Sequence, residues 1–436
     1  MLTGKFLIAA FLLQANFVLG QSKPNIIYIM ADDMGYADLS CYGRKDYHTP
    51  NLDKLAAQGI KFTNAYAGAP LCTPTRTSFM TGRYPARTPV GLIEPLTGST
   101  KDSTIGLTSN YTSLPSLLKK SGYATYLVGK WHLGFLPASS PNKNGFDEFF
   151  GFHGGAIDYI SHTDPSGTND LYENDKPMER DGYMTDLLLQ RTVEIIQKDH
   201  TKPFFLSVMF NAPHWPWQTP GDSVYPHGAD KWRLGGSPQV YARMMKSMDD
   251  AVGIILKTLD EKKLSNNTVV IFTSDNGGER FSDMGELSGR KALLREGGIK
   301  APAFIRWPGK IAANSTTEQP VITMDWTATI LALAKAKADP AFPLDGIDLM
   351  PVCTGKKKIL ERTFYWRVTQ RNQQKAIRDS NWKYLKDEKG EYLFDLTNDA
   401  TEKNDLKEKH KSIFEKLKQK YNEWEKTVLE PVTLIK

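Results

Sequence analysis

Four short segments of almost uninterrupted apolar residues stand out along the chain. They are Asn25 to Met30, Ala124 to Val128, Phe204 to Phe210 and Thr268 to Phe272. Because apolar and polar positions do not alternate in them, they are predicted to be strands of a sheet covered on both faces. Longer amphipathic segments, at about Tyr183 to Lys198 and Val240 to Glu261, are predicted to be covering helices. The pattern predicts an α/β fold.

The pattern changes after about Gly346. Short strand-like segments follow, and a charged helix is predicted near Glu402 to Trp424. The strand-like segments are Thr363 to Val368, Gln374 to Arg378, Trp382 to Leu385 and Tyr392 to Asp395. This succession predicts a small antiparallel sheet with one helix. Because 436 residues exceed the usual size of a single core, we predict two domains, residues 21–345 and 346–436.

The first twenty residues have the pattern of a signal peptide. Lys5 precedes an apolar run from Phe6 to Leu13, and Gln14 and Asn16 then interrupt the apolar character. A membrane anchor needs a longer unbroken apolar segment, so residues 1–20 are predicted to be cleaved and the protein to be secreted or periplasmic. No later segment is apolar enough to predict a membrane span.

Composition excludes some classes of protein and leaves others open. Cys41, Cys72 and Cys353 are too few for a disulfide scaffold, and the sequence leaves open whether Cys41 and Cys353 pair. The net charge of +6 suits a polyanionic substrate, but the lysines are dispersed, so a solvated basic surface explains it equally well. No nucleic-acid-binding motif accompanies the charge, and no nucleic acid partner is predicted.

Polar side chains follow each of the four predicted strands. They are Asp32 and Asp33, then Lys130 and His132, then Asn211 and His214, and finally Asp275 and Asn276. Ligands in open α/β sheets bind beyond the carboxyl ends of strands, so these side chains are predicted to converge on one site for an anion. The aspartates and the asparagine offer only oxygen ligands, which suit Ca²⁺ or Mg²⁺ rather than zinc. Asp32 and Asp33 alone are explained equally well by a helix cap and a turn.

The segment from Cys72 to Arg76 reads Cys-Thr-Pro-Thr-Arg. Pro74 suits the first turn of a helix, which would place Cys72 at a helix N-terminus that favours an anion. Arg76, four residues later, would lie on the same face. A buried cysteine beside a helix start is the alternative.

This segment resembles the Cys-x-Pro-x-Arg signature of the type I sulfatases of the alkaline phosphatase superfamily, in which the cysteine is oxidised to formylglycine. The resemblance continues through residues 31–36, 129–134, 212–214, 273–277, 295–298 and 307–309. Thr75 stands where these enzymes commonly have serine, at a variable position of the signature. The resemblance implies an alkaline-phosphatase-like large domain with a mixed, mostly parallel central sheet flanked by helices, and a small C-terminal α+β domain.

The resemblance also implies the metal and the chemistry. The ion would be Ca²⁺, held by Asp32, Asp33, Asp275 and Asn276 beside the modified Cys72. The hydrated aldehyde at residue 72 would attack sulfur, and a maturation partner, either a formylglycine-generating or an anaerobic sulfatase-maturating enzyme, would be required. Asp275 would act as the base, and Arg76 would hold the diol. His214 would protonate the leaving alcohol, and His132 would be the base that releases sulfate. Lys130, Lys291 and His214 would surround the sulfate group.

The implied substrate is a sulfated polysaccharide or oligosaccharide. Residues 145–155 resemble the matching stretch of sulfatases that act on galactose or N-acetylgalactosamine 4-sulfates, and His153 and Asp158 are predicted to bind sugar hydroxyls. Trp215 and Trp217 would form either a sugar-stacking wall or a packed loop. The alternatives are a phosphate or phosphonate ester hydrolase of the same superfamily and an inactive protein that binds sulfated glycans.

Overall fold

A computed structural model describes residues 23–97, 105–135, 137–370 and 372–431. The predicted signal peptide, residues 1–20, lies outside these ranges. Within them the strands, in chain order, are β1 (Asn25–Ala31), β2 (Ile60–Phe62), β3 (Ala65–Tyr66), β4 (Ala124–Lys130), β5 (Glu148–Phe152), β6 (Tyr172–Glu173), β7 (Lys176–Pro177), β8 (Phe204–Met209), β9 (Thr268–Ser274), β10 (Ala303–Arg306), β11 (Ser315–Thr317), β12 (Val321–Ile322), β13 (Thr363–Val368), β14 (Gln374–Asp379), β15 (Trp382–Asp387) and β16 (Gly390–Asp395).

The helices of the same ranges lie between these strands and after them. They are α1 (Pro50–Ala57), α2 (Cys72–Thr81), α3 (Leu114–Lys120), α4 (Met184–Gln197), α5 (Ala229–Leu234), α6 (Pro238–Glu261), α7 (Glu296–Ile299), α8 (Thr323–Leu333), α9 (Met350–Cys353) and α10 (Lys411–Glu425).

The central sheet has ten strands in the order β11-β2-β10-β9-β1-β8-β4-β5-β6-β7. The four strands predicted from the apolar segments, β1, β4, β8 and β9, are neighbours at its centre and run parallel. β10 runs antiparallel to both β9 and β2. The prediction of a mixed, mostly parallel sheet is therefore confirmed.

Each face of the central sheet packs against its own set of helices. Helices α4 and α6 contribute Leu188 and Met248 to the core on one face. Helices α2 and α8 contribute Phe79 and Trp326 to the core on the other face. Both faces of the middle strands are thus removed from water, which explains why their sequences are apolar without alternation.

The strands β13 to β16 form a separate antiparallel sheet in sequential order, here called the C-terminal sheet. Helix α10 packs Phe414, Leu417 and Tyr421 into the same core. The predicted strands and helix are confirmed, but the helix begins at Lys411 rather than near Glu402, whose backbone is left-handed with φ of 54°. The predicted domain boundary after residue 345 stays a prediction.

A buried ionic cluster joins the C-terminal sheet to the rest of the molecule. Lys383 is fully buried, and its Nζ lies 2.8 Å from Glu296 Oε1 and 2.9 Å from Glu402 Oε1. The Tyr66 hydroxyl donates to Glu296 Oε2 at 2.6 Å, and Arg378 donates to that hydroxyl at 2.6 Å. These five residues are called the interface cluster.

The residues that the structure describes contain neither a membrane-spanning helix nor a disulfide bond. No helix among them is long and apolar enough to cross a membrane. Cys41, Cys72 and Cys353, all within the described ranges, are free thiols, which answers the open question of pairing.

Candidate active site

The carboxyl ends of the central strands bring the predicted polar residues together. Strand β1 lies between β8 and β9, and β8 pairs in parallel with β4, so the segments that follow these strands meet at one edge. Asp33 and His132 both have positive φ, 61° and 56°. This conformation is uncommon for side chains larger than glycine and is concentrated at functional sites.

Two lysines each pair closely with one of the adjacent aspartates. Lys130 Nζ lies 2.5 Å from Asp32 Oδ2, and Lys291 Nζ lies 2.5 Å from Asp33 Oδ2. Burial alone would raise the pKa of Asp33, but the positive charge of Lys291 lowers it well below its usual range. Asp33 is therefore ionised at neutral pH.

Cys72 is the first residue of α2, and every residue of that helix is buried. Its thiol is 1% exposed, with Sγ 3.6 Å from Asp32 Oδ1 and 3.9 Å from Asp33 Oδ1. Burial raises the pKa of the Cys72 thiol well above its ordinary value. The unmodified thiol is consequently a poor nucleophile, because the thiolate is the reactive form.

Arg76 lies on the same helix and reaches into the same cluster. Its Nη2 is 3.1 Å from Asp275 Oδ2 and 3.7 Å from Asp32 Oδ1, while Nη1 donates to the Lys130 carbonyl. Its Nε is buried without a hydrogen-bond partner. Arg76 Nη2 and Cys72 Sγ, from the same helix, therefore both lie near Asp32 Oδ1.

The third carboxylate, Asp275, lies near both negatively and positively charged side chains. Its Oδ1 accepts from the Asp33 backbone N–H at 3.1 Å. Burial, followed by the negative charge of Asp32, raises the pKa of Asp275 to about 7. We call Asp32, Asp33, Asp275, Arg76, Lys130 and Lys291 the site cluster.

The donor set of this site fits a hard divalent cation. Asp32, Asp33, Cys72 and His214 each offer an atom, and these atoms all lie within 4.8 Å of one another. Asn276 donates through Nδ2 to Asp33 Oδ1 at 2.8 Å, and its buried Oδ1 has no partner. Asp275 Oδ1 lies at the Asp33 backbone N–H, so carboxylate and amide oxygens, which hard divalent cations prefer, lie next to this group. His214 was predicted to converge on the same site, but not to be a ligand of the ion.

The two predicted catalytic histidines flank the cluster and are uncharged in the free site. His214 Nδ1 lies 2.6 Å from the Trp215 carbonyl, and Nε2 lies 3.5 Å from Asp33 Oδ2. Burial lowers the pKa of His214 to about 3. His132 Nε2 lies 2.8 Å from the Leu96 carbonyl, its Nδ1 has no partner, and burial lowers its pKa well below the usual value.

The two predicted sugar-binding residues lie among protein groups instead. Asp158 is fully buried, and it accepts hydrogen bonds from the backbone N–H groups of Ile160, Ser161 and Tyr225 and from the Gln218 amide. These contacts give Asp158 the role of organising its loop and leave no exposed oxygen for a sugar.

His153 is similarly enclosed. Its ring packs between Phe149 and Tyr172, with centroid distances of 5.3 and 4.7 Å. Burial lowers the pKa of His153 to about 4. Trp215 and Trp217 are also buried, which favours the packed-loop interpretation of that segment over the stacking wall.

Comparison with known proteins places this geometry in a family. Residues 24–336 match the sulfatase family model, and residues 289–427 match the model described as N-sulphoglucosamine sulphohydrolase, C-terminal. Mouse arylsulfatase J is 32% identical over 94% of this chain and 77% of its own length. Rat N-acetylgalactosamine-6-sulfatase is 36% identical over 79% of this chain and 68% of its own length.

Solved structures agree with the sequence matches. The crystal structure of Ps i-CgsB in complex with k-i-k-neocarrahexaose superimposes with a TM-score of 0.83, at 30% identity over 95% of both chains. A Bacteroides thetaiotaomicron sulfatase structure from a study of glycosaminoglycan metabolism gives a TM-score of 0.75 at 25% identity, over 92% of this chain and 99% of the other. The chain therefore belongs to the sulfatase family, and it is a sulfuric ester hydrolase.

Proposed function

We propose that this sulfatase removes sulfate from a galactose or N-acetylgalactosamine residue of a sulfated polysaccharide or oligosaccharide, using formylglycine made from Cys72. The observation that carries the proposal is the position of Cys72 Sγ, 3.6 Å from Asp32 Oδ1 at the start of a buried helix. When formed, the hydrated aldehyde would supply an oxygen nucleophile that the buried thiol lacks.

The metal part of the proposal is Ca²⁺ held by Asp32, Asp33, Asp275 and Asn276. The supporting observation is the partnerless, buried Asn276 Oδ1 beside three converging carboxylates. A bound calcium ion would polarise a sulfate oxygen and compensate these negative charges.

The basic residues are placed to bind the sulfate group and orient the reacting groups. Lys130 and Lys291 already lie at the two aspartates, so an anion that approaches the ion would also contact their ammonium groups. Arg76, fixed by Asp275, would hold the hydroxyls of residue 72. Asp275 would accept the proton from the attacking hydroxyl.

His214 and His132 divide the two remaining proton transfers in this proposal. Because His214 Nδ1 is held at the Trp215 carbonyl, Nε2 is the nitrogen that faces the cluster. A bound anionic ester would raise the pKa of His214 and allow Nε2 to protonate the leaving alcohol. His132, whose Nδ1 is free in the described structure, would accept a proton as sulfate is released.

The acid role of His214 can be separated from a role in binding. Replacing His214 with Ala should reduce turnover of sugar sulfates, whose alcohols leave poorly, far more than turnover of an activated aryl sulfate. Steady-state kinetics on both substrates measures the difference. Equal losses on both would contradict the acid role.

The modification and the substrate are tested together. Peptide mass spectrometry across residue 72 of active protein should show the mass loss of cysteine-to-formylglycine conversion. The same preparation should then be screened on galactose and N-acetylgalactosamine carrying 4-sulfate or 6-sulfate, because the sequence resemblance favours the 4-position and a relative is named a 6-sulfatase. Unmodified Cys72 in an active preparation would instead favour phosphate or phosphonate ester hydrolysis.

We also propose export and a maturation partner. The support is the signal-like pattern of residues 1–20 together with the resemblance of residues 72–76 to a signature whose cysteine is oxidised to formylglycine. Expression with and without a formylglycine-generating or anaerobic sulfatase-maturating enzyme should change the converted fraction at residue 72. Mass analysis of protein from the periplasm or medium should show cleavage near residue 20; an intact N-terminus there would contradict the signal peptide.

A further inference from the structure

Lys291 belongs to an irregular segment, although its ammonium group must be held precisely. The segment lies between β9 and α7 and has no regular secondary structure around Lys291. A lysine side chain has considerable rotamer entropy, and loops are mobile unless their backbone is tied to the rest of the fold. The position of Lys291 Nζ, 2.5 Å from Asp33 Oδ2, therefore depends on whatever fixes its backbone.

Two backbone hydrogen bonds hold residues 291 and 292 of this segment to residues near Asn276 and Cys72 in the chain. The Lys291 N–H donates to the Gly278 carbonyl at 3.1 Å, and the Ala292 N–H donates to the Pro70 carbonyl at 2.9 Å. Ala292 itself has φ of 70°, a left-handed conformation that is unfavourable for a residue with a Cβ. Such a conformation persists only where the surroundings hold it.

The third contact comes from the C-terminal sheet. Gln374, the first residue of β14, is 2% exposed. Its Nε2 donates to the Ala292 carbonyl at 3.0 Å, and its Oε1 accepts from the Leu294 N–H at 2.8 Å. The side-chain amide of Gln374 thus binds the backbone on both sides of Leu293, which lies two residues after Lys291.

Leu294 strengthens this connection because its side chain is fully buried in the core of the C-terminal sheet. The backbone that follows Lys291 is therefore attached to that sheet by one side chain packed into its core and by one amide clamp. Both groups clamped by Gln374 would lack a partner if an apolar side chain replaced it.

We propose that Gln374 is a positioning residue for sulfate binding, acting through Lys291. The C-terminal sheet contributes in this way to the active site without any of its own side chains reaching the sulfate. The inference rests on the role of Lys291 in the proposed function.

The chain offers a matched control in Gln319. This glutamine is also fully buried and also clamps backbone: Nε2 donates to the carbonyls of Pro320 and Leu360, and Oε1 accepts from the Leu360 N–H. These contacts join the segment after β11 to the segment before β13, away from Lys291. Gln319→Leu therefore removes the same kind of interaction at a place that does not carry a site residue.

The experiment compares Gln374→Leu, Gln319→Leu, Lys291→Met and the double variant Lys291→Met with Gln374→Leu. Each full-length protein is normalised to its formylglycine content and assayed on an activated aryl sulfate, with inorganic sulfate as competitive inhibitor. We expect Gln374→Leu to lower kcat/KM by about 10-fold to 100-fold and to weaken sulfate inhibition. Gln319→Leu should stay within about 2-fold of the parent protein.

The double variant separates positioning from general damage. If Gln374 acts through Lys291, adding Gln374→Leu to Lys291→Met should cost no more than about 2-fold beyond Lys291→Met alone. A merely structural role would lower the folded fraction, and hence kcat, without changing the inhibition constant of sulfate. Multiplied losses in the double variant, or equal losses in both glutamine variants, would overturn the proposal.

Two further measurements keep the test decisive. If Gln374→Leu does not fold, Gln374→Asn replaces it, because the shorter amide cannot span both backbone groups; normal kinetics in that variant would overturn the proposal. Amide hydrogen exchange of a peptide covering residues 289–296 should be faster in the Gln374 variant only.

Unchanged kinetics in Lys291→Met would overturn the role of Lys291 in the proposed function, whereas impaired Lys291→Met with normal Gln374→Leu would overturn this inference alone.

Discussion

The interface cluster and the site cluster differ in how burial and neighbouring charges shift the pKa of a carboxyl group. In the interface cluster, burial would raise the pKa of Glu296, but the charge of Lys383 lowers it to about 2. In the site cluster, burial and the charge of Asp32 raise the pKa of Asp275 to about 7. The neighbouring lysine thus keeps the Glu296 carboxylate ionised, whereas burial and the charge of Asp32 disfavour the ionised form of Asp275.

The buried atoms without hydrogen bonds also differ between the clusters. In the interface cluster Glu402 Oε1 is such an atom, but it lies 2.9 Å from the ammonium group of Lys383. At the site Asn276 Oδ1, His132 Nδ1 and Arg76 Nε are buried without hydrogen bonds, although buried polar atoms are normally satisfied. Three aspartates face three basic side chains in the site cluster, and a calcium ion would add a net charge of +2, which suits an anionic ester.

The largest effect is expected from Cys72→Ala, which removes the proposed nucleophile and leaves the fold intact. We expect aryl sulfate turnover to fall by at least about 10⁴-fold, with an unchanged circular dichroism spectrum. Cys41→Ala, at a partly exposed free thiol, is the control and should keep full activity. Substantial turnover in Cys72→Ala would contradict the covalent mechanism.

A substitution in the interface cluster should instead lower the free energy of unfolding. Lys383→Met leaves Glu296 and Glu402 as buried, uncompensated carboxylates and should lower the free energy of unfolding by about 3–5 kcal/mol. Lys386→Met is the control, since Lys386 is half exposed and pairs only at 3.7 Å with Glu391. Denaturant unfolding of both variants measures the difference. A loss in Lys383→Met as small as in the control would show that this cluster is not a stabilising network.

The stabilisation by the interface cluster should depend on pH, because the pKa of Glu296 is lowered in the folded protein. Its pKa is lower in the folded protein than the ordinary 4.5, so its contribution is present above about pH 4.5 and is lost as pH falls toward 2. The expected contribution is on the order of 3 kcal/mol. The difference in unfolding free energy between the parent protein and Glu296→Gln should shrink between pH 5 and pH 3. A constant difference would contradict an ionised Glu296.

Calcium should stabilise the site cluster and have no effect on the interface cluster. After chelation, Ca²⁺ at 100 times its Kd should restore about 2.7 kcal/mol of stability along with activity. Thermal unfolding with Ca²⁺, with Mg²⁺ and with monovalent salt at equal ionic strength distinguishes specific binding from screening. Activity and Tm that withstand prolonged chelation would argue against the proposed ion.

Much of the fold could be predicted because the signals were local. The segment Thr363 to Val368 alternates between buried and half-buried positions and was predicted with its exact bounds. Strands β2, β3 and β10 to β12 were not predicted, since they have two to four residues and depend on distant partners. For example, β10 pairs with β2 across roughly 240 residues of chain.

The site was predicted in part for the same reason. Asp33, Lys130 and Asp275 directly follow or end apolar strands, so their convergence follows from the sheet. Asp158 was predicted to bind sugar from the resemblance of its region to sulfatases that act on galactose or N-acetylgalactosamine, and only the fold reveals the four donors that enclose it. Gln374 and Lys383 gave no signal, because each lies on a predicted strand and acts on a segment about 80 residues away.

The burial of Cys72 has a consequence for timing during protein synthesis. Strand β1 pairs with β9, and the charged groups around Cys72 include Asp275, so Cys72 becomes fully enclosed only after residue 275 has been made. At 5–20 residues per second, the roughly 200 residues between them take about 10–40 s to synthesise. Any enzyme that oxidises this thiol has that interval of open access, and slower synthesis of the intervening chain should increase the fraction of converted protein.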